Sequence, residues 1–286
     1  MNKNGIDISH WQGKPDFAKL KSQLDFIIIQ AGFGRVASQI DSEYERNYRE
    51  CKKYGIPCGA YWFSYATDPA DAKLEAYACI DVLKGKQFEY PIYYDIEGAA
   101  CSGDVSGKCQ AFCDTLENAG YFAGIYISRS PAQQYLNEYC RKKYALWLAE
   151  YGGRLNWTGA VGVWQNSDSG HFDGITGNVD TDICYVDYPA MIKSGGFNGF
   201  PKPTTAEPLA LDTDGLKKGD KNIAVLMYKQ LLQIANREGI IKQTVKNDGG
   251  FGDGTEIATN ELLKYLGYEQ NGIAGVNLAK KLGVIL

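Results

Sequence analysis

The chain has 286 residues, 44% of them hydrophobic, and a formal net charge of −4. That is enough for one large domain and one small one, each with a core of its own. No basic block supplies the phosphate-neutralising face that nucleic acid demands, and no apolar run approaches the ~18 residues of a membrane span, so neither nucleic acid nor a bilayer is an expected partner.

The N-terminal segment Met1 to His10 lacks the continuous apolar stretch of a signal peptide, so synthesis in the host cytoplasm is expected, with action after release. The first strand is expected within Gly5-Ile-Asp-Ile-Ser-His-Trp-Gln. From Phe26 to about Val186, short β-prone runs alternate with longer helical patterns. The runs are Phe26–Ala31, Gly59–Tyr65, Tyr90–Ile96, Phe122–Ile127, Ala145–Ala149, Val161–Gln165 and Ile183–Val186. Between them Ser42–Tyr54, Pro69–Leu83, Val105–Asn118 and Pro131–Tyr139 repeat apolar residues with a period of 3.6. The alternation predicts parallel strands with crossover helices, and runs as apolar as Phe26-Ile-Ile-Ile-Gln-Ala suit strands covered on both faces. Units in this number favour a closed or flattened β/α barrel over an open sheet, with chemistry at the C-terminal strand ends.

Gly and Pro then crowd residues 194–208, the expected linker. Residues 209–286 carry three helical patterns, Asn222–Asn236, Thr255–Tyr265 and Gly275–Leu282, which predict a small all-α domain with little room for an active site. All eight cysteines lie in the first two thirds of the chain and are expected as free thiols. Cys109 and Cys113 fall with Val105, Phe112 and Leu116 on one apolar helix stripe, and only two histidines are present, so no metal site is expected.

Asp95 and Glu97 stand two residues apart in a strand-like segment, so their side chains leave the same face with Cα atoms roughly 6.6 Å apart. Two acids on one face are what glycoside hydrolysis needs, one to protonate the leaving oxygen and one to support the transition state or orient a nucleophile. A lone Asp-x-Glu is a weak signal, more often a solvated strand end or a helix cap. Here it terminates the aromatic run Tyr90-Pro-Ile-Tyr-Tyr, where reduced solvation would raise a carboxyl pKa. Asp7 lies in the first strand and Asp180 at the start of the last. Closure of the barrel would make those strands neighbours and gather four acids at one mouth.

At these residues the sequence resembles the glycoside hydrolase family 25 muramidases, the lysozymes of phage endolysins and bacterial autolysins. The resemblance runs from about Gly5 to Pro189. It rests on Gly5-Ile-Asp-Ile-Ser-His-Trp-Gln-Gly, Gly59-Ala-Tyr-Trp-Phe-Ser-Tyr, Tyr90-Pro-Ile-Tyr-Tyr-Asp-Ile-Glu, Leu146-Trp-Leu-Ala-Glu-Tyr, Val163-Trp-Gln and Val179-Asp-Thr-Asp. It implies a modified barrel domain over residues 1–193 that hydrolyses the β-1,4 bond between N-acetylmuramic acid and N-acetylglucosamine in bacterial peptidoglycan, without metal or cofactor, at the cell wall. Carried over, Glu97 is the general acid, Asp95 stabilises the transition state or orients the substrate acetamido group, and Asp7 and Asp180 complete the acidic cluster. Tyr61, Trp147, Tyr151, Trp164 and Gln165 match positions lining the sugar groove, where ring faces stack on pyranoses. His10 fits a substrate contact and a hydrogen-bonded structural residue equally well.

Two departures stand out. Gln30 and Phe33 replace the basic or small polar residue and the acidic one that many relatives carry after the second strand. The last motif reads Asp180-Thr-Asp182 where Asp-x-Asn is commoner; alignment favours Asp180 as the inward acid. Residues 209–286 resemble the small helical peptidoglycan-binding domains, with Thr255 as a helix N-cap, leaving wall docking and dimerisation through this domain both open. Two rival functions remain: a chitinase-like glycosidase, whose longer acidic signature is missing at Tyr90 to Tyr93, and a non-catalytic wall-binding protein that keeps the fold.

Overall fold

The computed structural model describes residues 2–201, 215–221, 223–237, 239–246, 248–275 and 278, with only the backbone at 223 and 227. Two compact units divide the chain, Met1–Pro203 and Thr204–Leu286.

In the first unit eight strands close into a barrel in sequence order. They are β1 (Lys3–Ile8), β2 (Phe26–Phe33), β3 (Cys58–Phe63), β4 (Ile92–Asp95), β5 (Ala123–Ser128), β6 (Ala145–Ala149), β7 (Val163–Gly170) and β8 (Val179–Cys184). The connecting helices are α1 (Phe17–Leu20), α2 (Tyr44–Tyr54), α3 (Pro69–Leu83), α4 (Val105–Asn118), α5 (Arg129–Tyr135) and α6 (Glu138–Lys143), with α7 (Tyr188–Gly195) after the last strand. Side-chain caps fix several starts: the Asp68 side chain accepts from Ala70 and Asp71 N–H before Pro69, and Asp104 accepts from Gly107 N–H.

The expectation of parallel strands holds through β7. β8 instead runs antiparallel to both β7 and β1. The reason is the connection: residues 171–178 are too few for the crossover that a parallel return requires, so the chain can only come back as a hairpin. The single helix expected over Pro131–Tyr139 is two, α5 and α6, broken at Leu136 and Asn137, where the Asn137 side chain caps the second.

Strand alternation divides the side chains into two sets. Ile27, Ile29, Ala60, Trp62, Ile92, Tyr94, Ile125, Ile127, Leu146 and Leu148 share one buried cluster with residues of α2, α3 and α4. Phe26, Ile28, Tyr93, Tyr126, Trp147, Val163 and Cys184 share the other, inside the barrel. Asp7, Asp95, Gln165, Asp180 and Asp182 occupy inward positions of that second set, so the alternation that builds the core also aims the acids at the barrel axis. All eight cysteines are unbridged thiols, seven of them buried, in keeping with the sequence expectation.

Residues 196–201, placed in the linker on composition, pack on this unit. Asn198 is fully buried, donating to the Phe88 and Tyr90 carbonyls and accepting from Phe122 N–H. Composition marks the chain break but misses this polar anchor. The stretch 202–214 lies outside the described residues.

Lys108 on α4 is wholly buried, and its ammonium donates to the carbonyls of Ala66 (3.3 Å), Ala100 (2.5 Å) and Ser102 (2.8 Å). It holds the loop that follows Glu97. Lys108→Met should strand three buried carbonyls and lower unfolding stability by about 3 kcal/mol, read by denaturant titration; a change below about 1 kcal/mol would show that the loop does not depend on this cation.

The second unit has two helices among its described residues, α8 (Ile223–Arg237) and α9 (Asp253–Tyr265), around a core that includes Val225, Tyr228, Leu232, Phe251, Ala258 and Leu262. Apart from Gly275 and Leu278, the expected helix Gly275–Leu282 lies outside the described residues. Thr255 is not a cap: α9 starts earlier, after Gly252, and Thr255 is a buried residue within it.

Candidate active site

Asp95 ends β4, and the extended backbone continues through Glu97 (φ −142°, ψ −179°), so the two carboxylates leave the same side. Gly98 follows with φ +53°, a left-handed turn that a side chain would strain, and the chain swings away to leave Glu97 at the barrel mouth. On the opposite side the β1–β8 register pairs Asp7 with Asp180. All four predicted acids line one groove of about 450 Å³, together with His10, Trp11, Gln30, Phe33, Tyr61, Phe63, Tyr65, Tyr126, Trp147 and Gln165.

Gln165 organises the acids. Its amide nitrogen donates to Asp7 Oδ2 (2.9 Å) and Asp180 Oδ2 (3.1 Å), and its carbonyl oxygen accepts from the hydroxyls of Tyr126 (2.9 Å) and Tyr151 (3.3 Å). The residue expected to contact sugar is thus a buried clamp whose hydrogen-bonding capacity is taken up by protein groups. Both Asp180 and Asp182 point inward, two residues apart on β8. Asp180 lies in the groove as the alignment predicts, and Asp182 lies beneath it, accepting from Trp147 Nε1 at 2.7 Å.

Among the described residues no Lys, Arg or His forms an ion pair with any of these acids, and burial raises every one of their pKa values. Burial dominates at Asp7, whose value is pushed well up, and repulsion from Asp182 and Asp180 adds to it against the Gln165 hydrogen bond. Asp95 is raised by burial and then by the neighbouring Glu97 carboxylate, and Glu97 by burial. Asp180 is pushed up to about 6 and Asp182 to about 8, burial leading in both. Burial thus favours the protonated form at each of these acids, which is what a donor acid needs. Asp95 Oδ1 is buried with no donor among the described residues.

Of the expected binding residues, Tyr61, Trp147, Gln165 and His10 line the groove and Tyr151 and Trp164 do not. Tyr61 lines the groove, half-buried and edge-on to Trp147, and Tyr151 stands exposed with its hydroxyl on Gln165. Trp147 is floor rather than platform, buried against Tyr61, Tyr93 and Tyr126. Trp164 is not among the groove residues: strand alternation turns it opposite to Gln165, and its Nε1 donates to the Glu150 carbonyl at 2.7 Å. His10 borders the groove with Nδ1 2.6 Å from Asp41 Oδ2, a hydrogen-bonded residue beside the acids.

Sequence reasoning passed over Trp11, 82% exposed beside the acids, and the cluster of Phe33, Phe63 and Tyr65. Trp11 sat inside a quoted motif, and its exposure on a three-residue 3-10 turn was the missing signal. Phe33, noted as a departure, proves to line the groove wall with an aromatic ring.

Comparison with known proteins points the same way. The profile described as Glycosyl hydrolases family 25 matches residues 6–175. An autolytic lysozyme of Clostridium acetobutylicum is 28% identical over 277 residues, covering 96% of this chain and 76% of its own length. The crystal structure of the CTP1L endolysin superposes with a TM-score of 0.61 at 28% identity, over 67% of this chain and 69% of that one. The modular autolysin LytC of Streptococcus pneumoniae superposes at 0.57 and 28% identity, over 64% of this chain, which spans 47% of that longer protein.

Proposed function

From the premise that the chain belongs to glycosyl hydrolase family 25, we infer that it is a peptidoglycan muramidase acting at the bacterial cell wall. The observation that carries the reading is the closed groove with Asp95 and Glu97 on one wall and Asp7 and Asp180 on the other. In this reading Glu97, at the mouth, is the general acid, and residues 1–193 hold the whole catalytic apparatus. Asp95, beneath it in the same groove, holds the N–H of the substrate's acetamido group.

The acetamido carbonyl oxygen attacks the anomeric carbon while the glycosidic C–O bond breaks and the Glu97 proton passes to the leaving oxygen. Water then opens the oxazolinium ion, giving its proton back to the Glu97 carboxylate, with net retention of configuration. The first step needs a proton on Glu97, which burial favours, and its transfer leaves the carboxylate that the second step uses as base. Accessibility, rather than the order in which the two carboxyls titrate, assigns the donor: the leaving oxygen can reach Glu97, whereas Asp95 is 5% exposed.

The helical unit over 209–286 is assigned a docking role, to the wall or to a second copy, and its cavity of about 640 Å³ beside Lys229 and Asp248 supports docking. Digestion of purified walls followed by mass spectrometry is expected to release fragments with a reducing muramic acid end. Fragments ending in reducing glucosamine, or peptide cleavage alone, would overturn the reading.

A further inference from the structure

Asp182 sits one layer below the groove acids. In the β1–β8 ladder it pairs with Gly5, whose missing side chain leaves the Phe26 ring and the Asp182 carboxyl the space at that level, while Asp7 stands two residues further along the same inner face. Residues so placed on adjacent antiparallel strands meet diagonally, which brings the Asp7 and Asp182 carboxyls together on the inner face. Each has one fixed donor elsewhere: Trp147 Nε1 on Asp182 Oδ1, and the Gln165 amide on Asp7 Oδ2. The remaining Asp182 oxygen, Oδ2, is buried with no donor among the described residues. Two ionised carboxylates cannot be held at contact inside a barrel without a cation, and no ion pair reaches either of them among the described residues. A proton between them satisfies the orphan oxygen and removes the repulsion together.

We propose that Asp182 is a positioning residue that shares one proton with Asp7 and so fixes the Asp7 carboxyl at the floor of the groove. The groups facing the pair are Asp180 and Cys184 on β8, Asp95 and Tyr93 on β4, Tyr61 on β3, Tyr126 on β5, Trp147 on β6, Tyr151 after it and Gln165 on β7. None of them supplies a positive charge, so the proton has no competing partner. Burial raises both carboxyls; repulsion from Asp182 adds to it at Asp7 and repulsion from Asp180 at Asp182, whereas the link to Asp7 lowers Asp182, so a proton held between the two makes their titrations interdependent. The consequence for activity rests on the muramidase reading, whereas the shared proton does not.

Two variants of the full chain test it. Asp182→Asn keeps an acceptor for Trp147 and places a permanent N–H against Asp7; Asp182→Leu supplies neither. In carboxyl-carbon NMR of aspartate-labelled protein, with Asp7→Asn to assign the signals, Asp7 of the parent should titrate above the ordinary carboxylate range. In Asp182→Asn its midpoint should fall, because the repelling partner is gone. Wall lysis by Asp182→Asn should stay within about threefold of the parent, while Asp182→Leu should lose about a hundredfold. An Asp7 midpoint unchanged by Asp182→Asn overturns the shared proton. Loss of lysis in Asp182→Asn as deep as in Asp182→Leu overturns the positioning role. If Asp182→Leu does not fold, the titration of Asp182→Asn decides.

Discussion

Replacing Glu97 by Gln is expected to reduce wall lysis by about a thousandfold while leaving the protein folded and able to bind walls. Glutamine matches the acid in shape and fills the same place at the end of the extended segment, so neither the barrel nor the groove should change. What is lost is the proton. A glycosidic oxygen leaves as an alcohol only if it is protonated as the bond breaks, and an amide cannot supply that proton at any working pH. The same logic gives the pH response of the parent enzyme. Glu97 must be protonated to act, and burial raises its pKa, so the active form persists to higher pH than for a solvated glutamate and is lost as pH rises through that raised value. Turbidity loss of purified walls, beside co-sedimentation of the inactive variant with the same walls, separates catalysis from binding. Residual lysis above about a tenth of the parent's would remove Glu97 from the role of donor.

The order of strands and the acids' placement were legible because both follow from alternation. A period of two along β1, β4 and β8 forces Asp7, Asp95 and Asp180 to the inner face once the outer face is identified by its isoleucines, and closure in sequence order then brings the ends together. The direction of β8 was legible in principle from the short stretch 171–178, but a strand's direction leaves no mark in its own composition.

What could not be read were features that depend on atoms far apart in the chain. Gln165 looked like a sugar ligand because it follows a tryptophan in a motif, yet its partners come from β1, β5 and β8. Asp182 looked like an alternative to Asp180, whereas two acids at i and i+2 on a strand must share a face and so stand at different depths of the same barrel. Trp164 shows the same arithmetic in reverse, since one residue's step from Gln165 carries it out of the groove.

The arrangement of Asp95 beneath Glu97 yields the second large effect. Asp95→Asn should lower turnover by about a hundredfold or more with little change in KM, because its work is concentrated in the transition state. As the acetamido oxygen bonds to the anomeric carbon, positive charge spreads onto the amide nitrogen, and a buried carboxylate against that N–H is stabilising in proportion to how little water surrounds it. Asp95 lines the groove and is itself buried, so little water would surround a carboxylate paired with that N–H. Asparagine preserves the shape but not the charge, and when its amide nitrogen faces the groove it opposes one donor with another. The first-formed sugar should be the β anomer in the parent and in whatever activity the variant retains, as followed by proton NMR during hydrolysis. An initial α anomer would instead mean direct attack by water from the opposite face, and would reassign Asp95, or Asp7 and Asp180 across the groove, as the base that activates it. A variant whose KM rises while its turnover is unchanged would show that Asp95 only binds the ground state, and the stabilising charge would then have to come from the other wall of the groove.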